Sequence, residues 1–391
     1  MNTLWFSKST GLDAKIDPAR QSFDPKDGVT ALEVAYNVQH DRTGRLRMRR
    51  GYEATDVTVS CHSLFCDGGD CLFVTGDALC VLHSDFSYTP IVNVTPGNRM
   101  EYVQVGDRAY FTNGTEKGFV LGGVGYGWAK PDTIHGQQDS TLVRTGPPVG
   151  KHVAYYNDRV YIAQENYLWG SERGATTVFD PIAGRLGFES RITFVKGVSE
   201  GIYVGTERGL AFLRGDSYND FRYERKRTYG AIEGTAVYAE AEVIPALEGV
   251  QDVGILCASA GGILYGSAQG LVTNLTRYKV KMPEALFGAA VKVNEDYIVC
   301  LEPRSSVYGV TLCLQLESLA LSQFGNYNFN SMCRFGQHHL AANSSGIFKL
   351  WKNDKDDTSP QMILLSVSID VVMSTQPPLI LWNNLSLASL P

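Results

Sequence analysis

The chain has 391 residues, a net charge of -6 and a hydrophobic fraction of 44%. The acidic balance argues against tight nucleic-acid binding, which needs a basic face to neutralise phosphates. No apolar run approaches the ~20 residues of a membrane span, and the N-terminus lacks the apolar core of a signal peptide. A soluble protein made in the cytosol, with no membrane partner, is the expectation.

In chain order, residues 1–50 read as an N-terminal arm and closing hairpin, in which 11–18 and 23–28 are turn-rich and carry little core. Residues 31–38 (ALEVAYNV) precede a turn at 41–44 (DRTG) and a basic strand at 45–52 (RLRMRRGY). Side chains alternate along a strand, so Arg45, Arg47 and Arg49 are expected on one face and Leu46 and Met48 on the other. Propellers close by pairing strands from opposite chain ends, and this hairpin is a candidate for the N-terminal contribution.

Residues 51–351 repeat one phrase: a strand, a tight polar turn and a second strand. The clearest copies are GIYVGTERGLAFL from Gly201 and GILCASAGGILY from Gly254. Apolar residues flanking a turn of Gly, Asn, Asp or Ser are the signature of a β-hairpin. Recurrence at about 37 to 55 residues, centred near 75, 113, 163, 206, 260, 302 and 345, points to an all-β chain folded as a β-propeller. Seven blades are expected, and six or eight also fit the uneven spacing. The Gly- and Pro-rich stretch 118–148 reads as a long inter-blade loop.

Residues 352–391 form a charged linker and then an apolar tail containing Trp382. The tail is too short and broken to span a membrane, so it is expected to be buried, either closing the propeller or against another subunit. The eight cysteines lack the C-x2-C pairs of a zinc site, and several lie in predicted strands. Reduced, packing cysteines are expected, with no metal or other cofactor.

Catalytic signatures are sparse. The glycines at 122–127 lack the register of a phosphate cradle, and no nucleophile elbow or His-Glu-x-x-His helix occurs. Glycan hydrolysis is the sharpest enzymatic alternative, needing two carboxylates astride the bond. Asp180, Glu189, Glu200, Glu207, Asp216 and Asp220 are candidates, although a charged surface explains them equally. The segment 343–351 (NSSGIFKLW) lacks the Asp of a sialidase Asp box. The expectation is a non-enzyme. The basic runs 45–50 and 222–227 read as ion-pairing faces in an acidic chain.

The phrase Leu32-Glu33-Val34-Ala35-Tyr36-Asn37-Val38, followed by Gly44-Arg45 and then Arg47, Arg49, Arg50, Gly51 and Tyr52, resembles the opening of a group of tailed-bacteriophage virion proteins. Further phrases at 157–172, 201–209 and 261–276 resemble the same proteins in the same order. These are the propeller-bearing tail nozzle, hub or tail-tip proteins of short-tailed and related phages. The resemblance implies a structural role in the virion, as a usually sixfold ring around the DNA exit channel. It implies self-association, contact with other tail or adaptor proteins, and passage of double-stranded DNA without specific binding. Under it, Arg45, Arg47, Arg49, Arg50 and Trp382 are expected at subunit or adaptor contacts. A peripheral propeller binding host glycan or receptor is the alternative.

Overall fold

The computed structural model describes residues 8–15, 23–24, 29–130, 143–244, 252–277, 279–303, 309–352, 355–356, 359–360 and 364–366. They form a seven-bladed β-propeller. Cys61–Cys66, Cys71–Thr75, Ala78–Leu82 and Tyr88–Asn93 make the first blade, a four-stranded antiparallel meander. The next five blades occupy residues 101–127, 152–187, 192–227, 237–274 and 285–324. The seventh takes Ser331–Phe335, His338–Asn343 and Gly346–Leu350 from the C-terminal side and its fourth strand, Tyr52–Ala54, from the N-terminal side. That strand pairs antiparallel with Gly346–Leu350, placing Tyr52 opposite Leu350. The ring is closed by hydrogen bonds between the two ends of the propeller.

The first strand of each blade is the inner one; that of the seventh packs directly on that of the first. Seven apolar clusters fill the wedges, one between each pair of neighbouring blades. Alternate residues of one strand therefore enter different cores. Leu72 and Val74 pack toward the second blade, whereas Cys71 and Phe73 pack toward the seventh. A strand covered on both faces needs apolar residues at consecutive positions, which explains the short continuous runs in the sequence. Each fully buried Leu, Val or Phe in these wedges stabilises the fold by about 1.5–3 kcal/mol.

The hairpin turns follow their residues. Asn157 and Asp158 both have positive φ (45° and 58°), the two-residue geometry that suits strand twist. Gly122 and Gly123 (φ 57° and 76°) do the same inside the stretch read as a long loop. Residues 117–127 are thus the two outer strands of the second blade, Lys117–Leu121 and Val124–Gly127, and the connection begins only beyond them.

The arm carries more core than its composition suggested. Leu12, Leu32, Ala35 and Val38 are buried in the wedge between the fifth and sixth blades. Val34–Tyr36 adds in parallel outside the sixth blade, with Tyr36 opposite Gln323, and Leu364–Ser366 pairs antiparallel with it. Lys355–Asp356 meets Tyr52 on the seventh blade. Both chain ends therefore braid onto the last two blades. All eight cysteines are free thiols, and Cys66 is the one that is not buried. No helix among the described residues is long and apolar enough to cross a membrane.

Candidate functional site

The basic hairpin consists of Val38–His40 paired with Leu46–Met48. Its turn is organised by Asp41, whose Oδ1 accepts the backbone N–H groups of Thr43 (2.8 Å) and Arg45 (3.0 Å) and the Thr43 hydroxyl (2.7 Å). Arg45 and Arg47 are exposed, as is Arg50 beyond the strand. Among the described residues, no carboxylate lies within 4.0 Å of these three side chains.

Arg49 departs from the expected shared face. The strand stops at Met48, the alternation breaks, and the Arg49 side chain turns inward to 0% exposure. Its Nη1 donates to Asp356 Oδ1 at 2.7 Å, its Nη2 pairs with Asp356 Oδ2, and Nη2 also donates to the Gly325 carbonyl at 2.7 Å. Nε donates to Asn37 Oδ1 at 2.8 Å, and the guanidinium lies 4.8 Å from the Tyr327 ring centre and 5.4 Å from that of Phe324. Such a buried cation is tolerable only because paired charge and hydrogen bonds replace its lost hydration. Arg49 therefore joins the arm, the two closing blades and the C-terminal segment within one chain, and its side chain is not available to a partner at the surface. Trp382 lies outside the described residues.

Beneath the hairpin is a cleft of about 710 Å3 at the edge of the sixth blade. Its rim carries Lys8, Arg42, Arg45, Arg47, Glu295 and Glu317. His40, Asp296 and Gln315 also line it and are buried, at 2%, 6% and 4% exposure. Gln39 Nε2 donates to Asp296 Oδ2, but Asp296 Oδ1, Gln39 Oε1 and both His40 ring nitrogens have no hydrogen-bond partner. Burial holds His40 down to about 4, with Lys279 adding to the effect, so its ring is neutral at neutral pH. Burial pushes Asp296 up to about 7, against the opposing pull of Gln39 and Arg47. Unpartnered polar atoms of His40 and Asp296, buried beside a roomy cleft, suit a polar ligand or a polar partner side chain.

The carboxylates weighed for glycan hydrolysis are mostly committed elsewhere. Asp180 pairs with Arg144 (3.0 Å) and accepts backbone N–H groups of its own turn, as Asp220 does at residues 216 and 217. Glu200 pairs with Arg214, Glu207 with Arg191 and Glu189 with Arg225. The basic run Arg222–Arg227 is the outer strand of the fourth blade, where Glu224 bridges Arg214 and Lys226. Among the described residues, no group of three or more His, Cys, Asp or Glu is arranged to hold a metal ion.

Asp356, Asn37 and Asp296 were not legible as a set, since each acquires its partner across the ring closure or the hairpin packing. Asn37 offered the one local signal: it precedes a basic strand, and its positive φ of 56° is a conformation Asn tolerates better than most residues.

No protein-family model matches the sequence, and no curated protein matches it. Among solved structures, the chain is similar to the extracellular domain of a protein described as a hybrid two-component system from B. thetaiotaomicron, with 10% identity, a TM-score of 0.47, and coverage of 78% of this chain and 40% of that one. It is also similar to the WD40 β-propeller domain of Doa1, at 12% identity and a TM-score of 0.46, over 77% of this chain and 97% of that one. The Pan2 WD40 domain of Neurospora crassa aligns at 10% identity and a TM-score of 0.45, over 77% of this chain and 91% of that one. These likenesses carry nothing about partner or activity.

Proposed function

We propose that this chain is a structural propeller of a bacteriophage tail, assembling with itself and with neighbouring tail or adaptor proteins as a ring around the DNA exit channel. The observation that carries the reading is the rigid display of Arg45, Arg47 and Arg50. They sit on or beside a hairpin anchored by the buried Arg49, and none has a carboxylate within 4.0 Å among the described residues. Unpaired cations on a fixed surface suit an acidic protein partner, through charge complementarity that sets register and encounter rate. A chain of net charge -6 supplies such a partner in its next copy, and head-to-tail contacts of this kind close into rings. The same acidity favours DNA passage without adhesion, because phosphates are repelled. The sequence resemblance runs through these residues and adds the virion setting.

The test is charge reversal of Arg45 and Arg47, leaving Arg49 in place. The double variant Arg45→Glu/Arg47→Glu is expected to fold with an unchanged melting curve yet fail to form rings or enter particles. Normal incorporation of this variant, judged by electron microscopy and gel analysis of purified particles, would overturn the proposal.

The cleft with its unpartnered His40 and Asp296 favours a second reading, a peripheral tail propeller that binds host glycan. Monomeric protein that binds cell-wall glycan, with binding lost in Asp296→Ala, would favour that reading over the ring.

A further inference from the structure

The seven inner strands converge on the propeller axis, and at one mouth five of them, with the connections at 99–100, 233–234 and 330, line a cavity of about 120 Å3. A water molecule occupies about 30 Å3 in the liquid, so the space suits a few waters or one tetrahedral oxyanion. Its ionisable lining is Arg99, Glu101, Lys151, His152 and Glu233, brought together from separate blades and connections.

The two carboxylates are already neutralised. Glu233 lies 2.8 Å from Lys151 Nζ and 3.5 Å from Arg191 Nη1. Glu101 lies 3.4 Å from Lys196 Nζ, whose charge holds its carboxyl down to about 2 despite burial. Arg99 has no carboxylate within 4.0 Å among the described residues. Its guanidinium lies 4.0 Å from the Phe287 ring centre and donates to the Gly288 carbonyl at 3.2 Å. A guanidinium has five N–H donors, so this one keeps several for a ligand. Burial draws Arg99 below the usual guanidinium range, as expected for a cation with incomplete compensation. His152 is 2% exposed, lines the same cavity, and neither ring nitrogen has a hydrogen-bond partner. Its Nδ1 stands 3.7 Å from Glu101, beyond hydrogen-bond reach.

From this juxtaposition we infer that the axial mouth binds a small oxyanion, of the phosphate, sulfate or carboxylate class, held by Arg99, Lys151 and His152. The bound anion supplies the charge that Arg99 lacks and ties together groups carried by separate blades and connections. The site is separate from the basic hairpin and stands whether or not the tail assignment holds.

The experiment is thermal unfolding and calorimetric titration of the full chain with sodium phosphate, sulfate or acetate, against sodium chloride at matched ionic strength. A melting temperature that rises and saturates with at least one oxyanion, with heat of binding, is expected. Arg99→Gln should weaken that binding by about tenfold or more, the loss associated with a charge-assisted contact. Should Arg99→Gln fail to fold, Lys151→Gln is the second variant, because the Lys151 side chain is 37% exposed and Arg191 still serves Glu233. No saturable response beyond chloride, or an equal response in a folded variant, would falsify the assignment.

Discussion

Arg49 and Asp356 stand 307 positions apart in the chain and meet as a two-pronged buried ion pair, with Nη1 to Oδ1 at 2.7 Å. Their side chains are 0% and 2% exposed. The pair spans the place where the two ends of the propeller join, so its energy is gained only when the ring is closed.

Breaking this pair is expected to loosen the closure. Arg49→Met removes the cation paired with a buried carboxylate, and Asp356→Asn leaves a buried cation half-compensated. Each should cost about 3–5 kcal/mol of stability, the range for removing one partner of a buried pair. Chemical unfolding of both single variants and the double variant checks this. The double variant should lose clearly less than the sum of the two, because the residues are directly coupled.

Asn37 is the second element of the closure. Its Oδ1 accepts from Arg49 Nε at 2.8 Å and from the Gly325 backbone N–H at 2.7 Å, while its backbone holds φ at 56°. Asn37→Ala removes the acceptor of both bonds and places a residue poorly suited to positive φ. A loss of about 2–3 kcal/mol is expected from one or two unsatisfied buried donors plus the backbone term. Asn37→Asp keeps the acceptor and should lose less, as melting temperatures of the two variants would show.

The cleft carries opposite pH signatures. Asp296 is raised in the fold to about 7, so the folded state holds a proton the unfolded chain releases above about 4. Its contribution is present at low pH and lost as pH rises through about 7. His40 is lowered to about 4, so its contribution is present above the unfolded value of 6.5 and lost as pH falls toward about 4. Asp296→Asn mimics the protonated form. It should stabilise the protein by roughly 2–4 kcal/mol at pH 8 and by little at pH 4, a difference read from melting curves at the two values. A pH-independent effect would contradict the assigned protonation.

The thiols report on the wedges. Seven of the eight cysteines are buried, and Cys66 is half-buried. Its thiol is pushed up by its hydrogen bond with Cys71 and by burial, so little reactive thiolate is present at neutral pH. Native protein should react slowly with a thiol reagent, first at Cys66, and release all eight thiols only on unfolding. Mass spectrometry of partially alkylated protein identifies the site; early labelling of Cys257 or Cys313 would mean that a wedge opens locally.

How much was legible follows from the range of the interactions. The repeat of apolar runs around Gly, Asn and Asp turns is a local property, because strand alternation and turn geometry act over a few residues. It was enough for an all-β chain and for seven blades. The glycine-rich stretch misled because Gly122-Gly123 can serve equally as a loop or as a two-residue turn, and only pairing of Phe119 with Tyr126 distinguishes them. The basic strand misled in a different way. Four arginines within six positions look alike in sequence, yet three remain exposed and Arg49 becomes the centre of the closure.

What the sequence alone determined is the blade, since each hairpin is encoded by neighbours along the chain. What only the tertiary structure decided is which charges are free. Arg49 is committed because Asp356, Gly325 and Asn37 reach it, while Arg45 and Arg47 find no carboxylate within 4.0 Å among the described residues. A cation's role depends on what lies within a few ångströms of it, and in a closed ring those neighbours come from the far end of the chain.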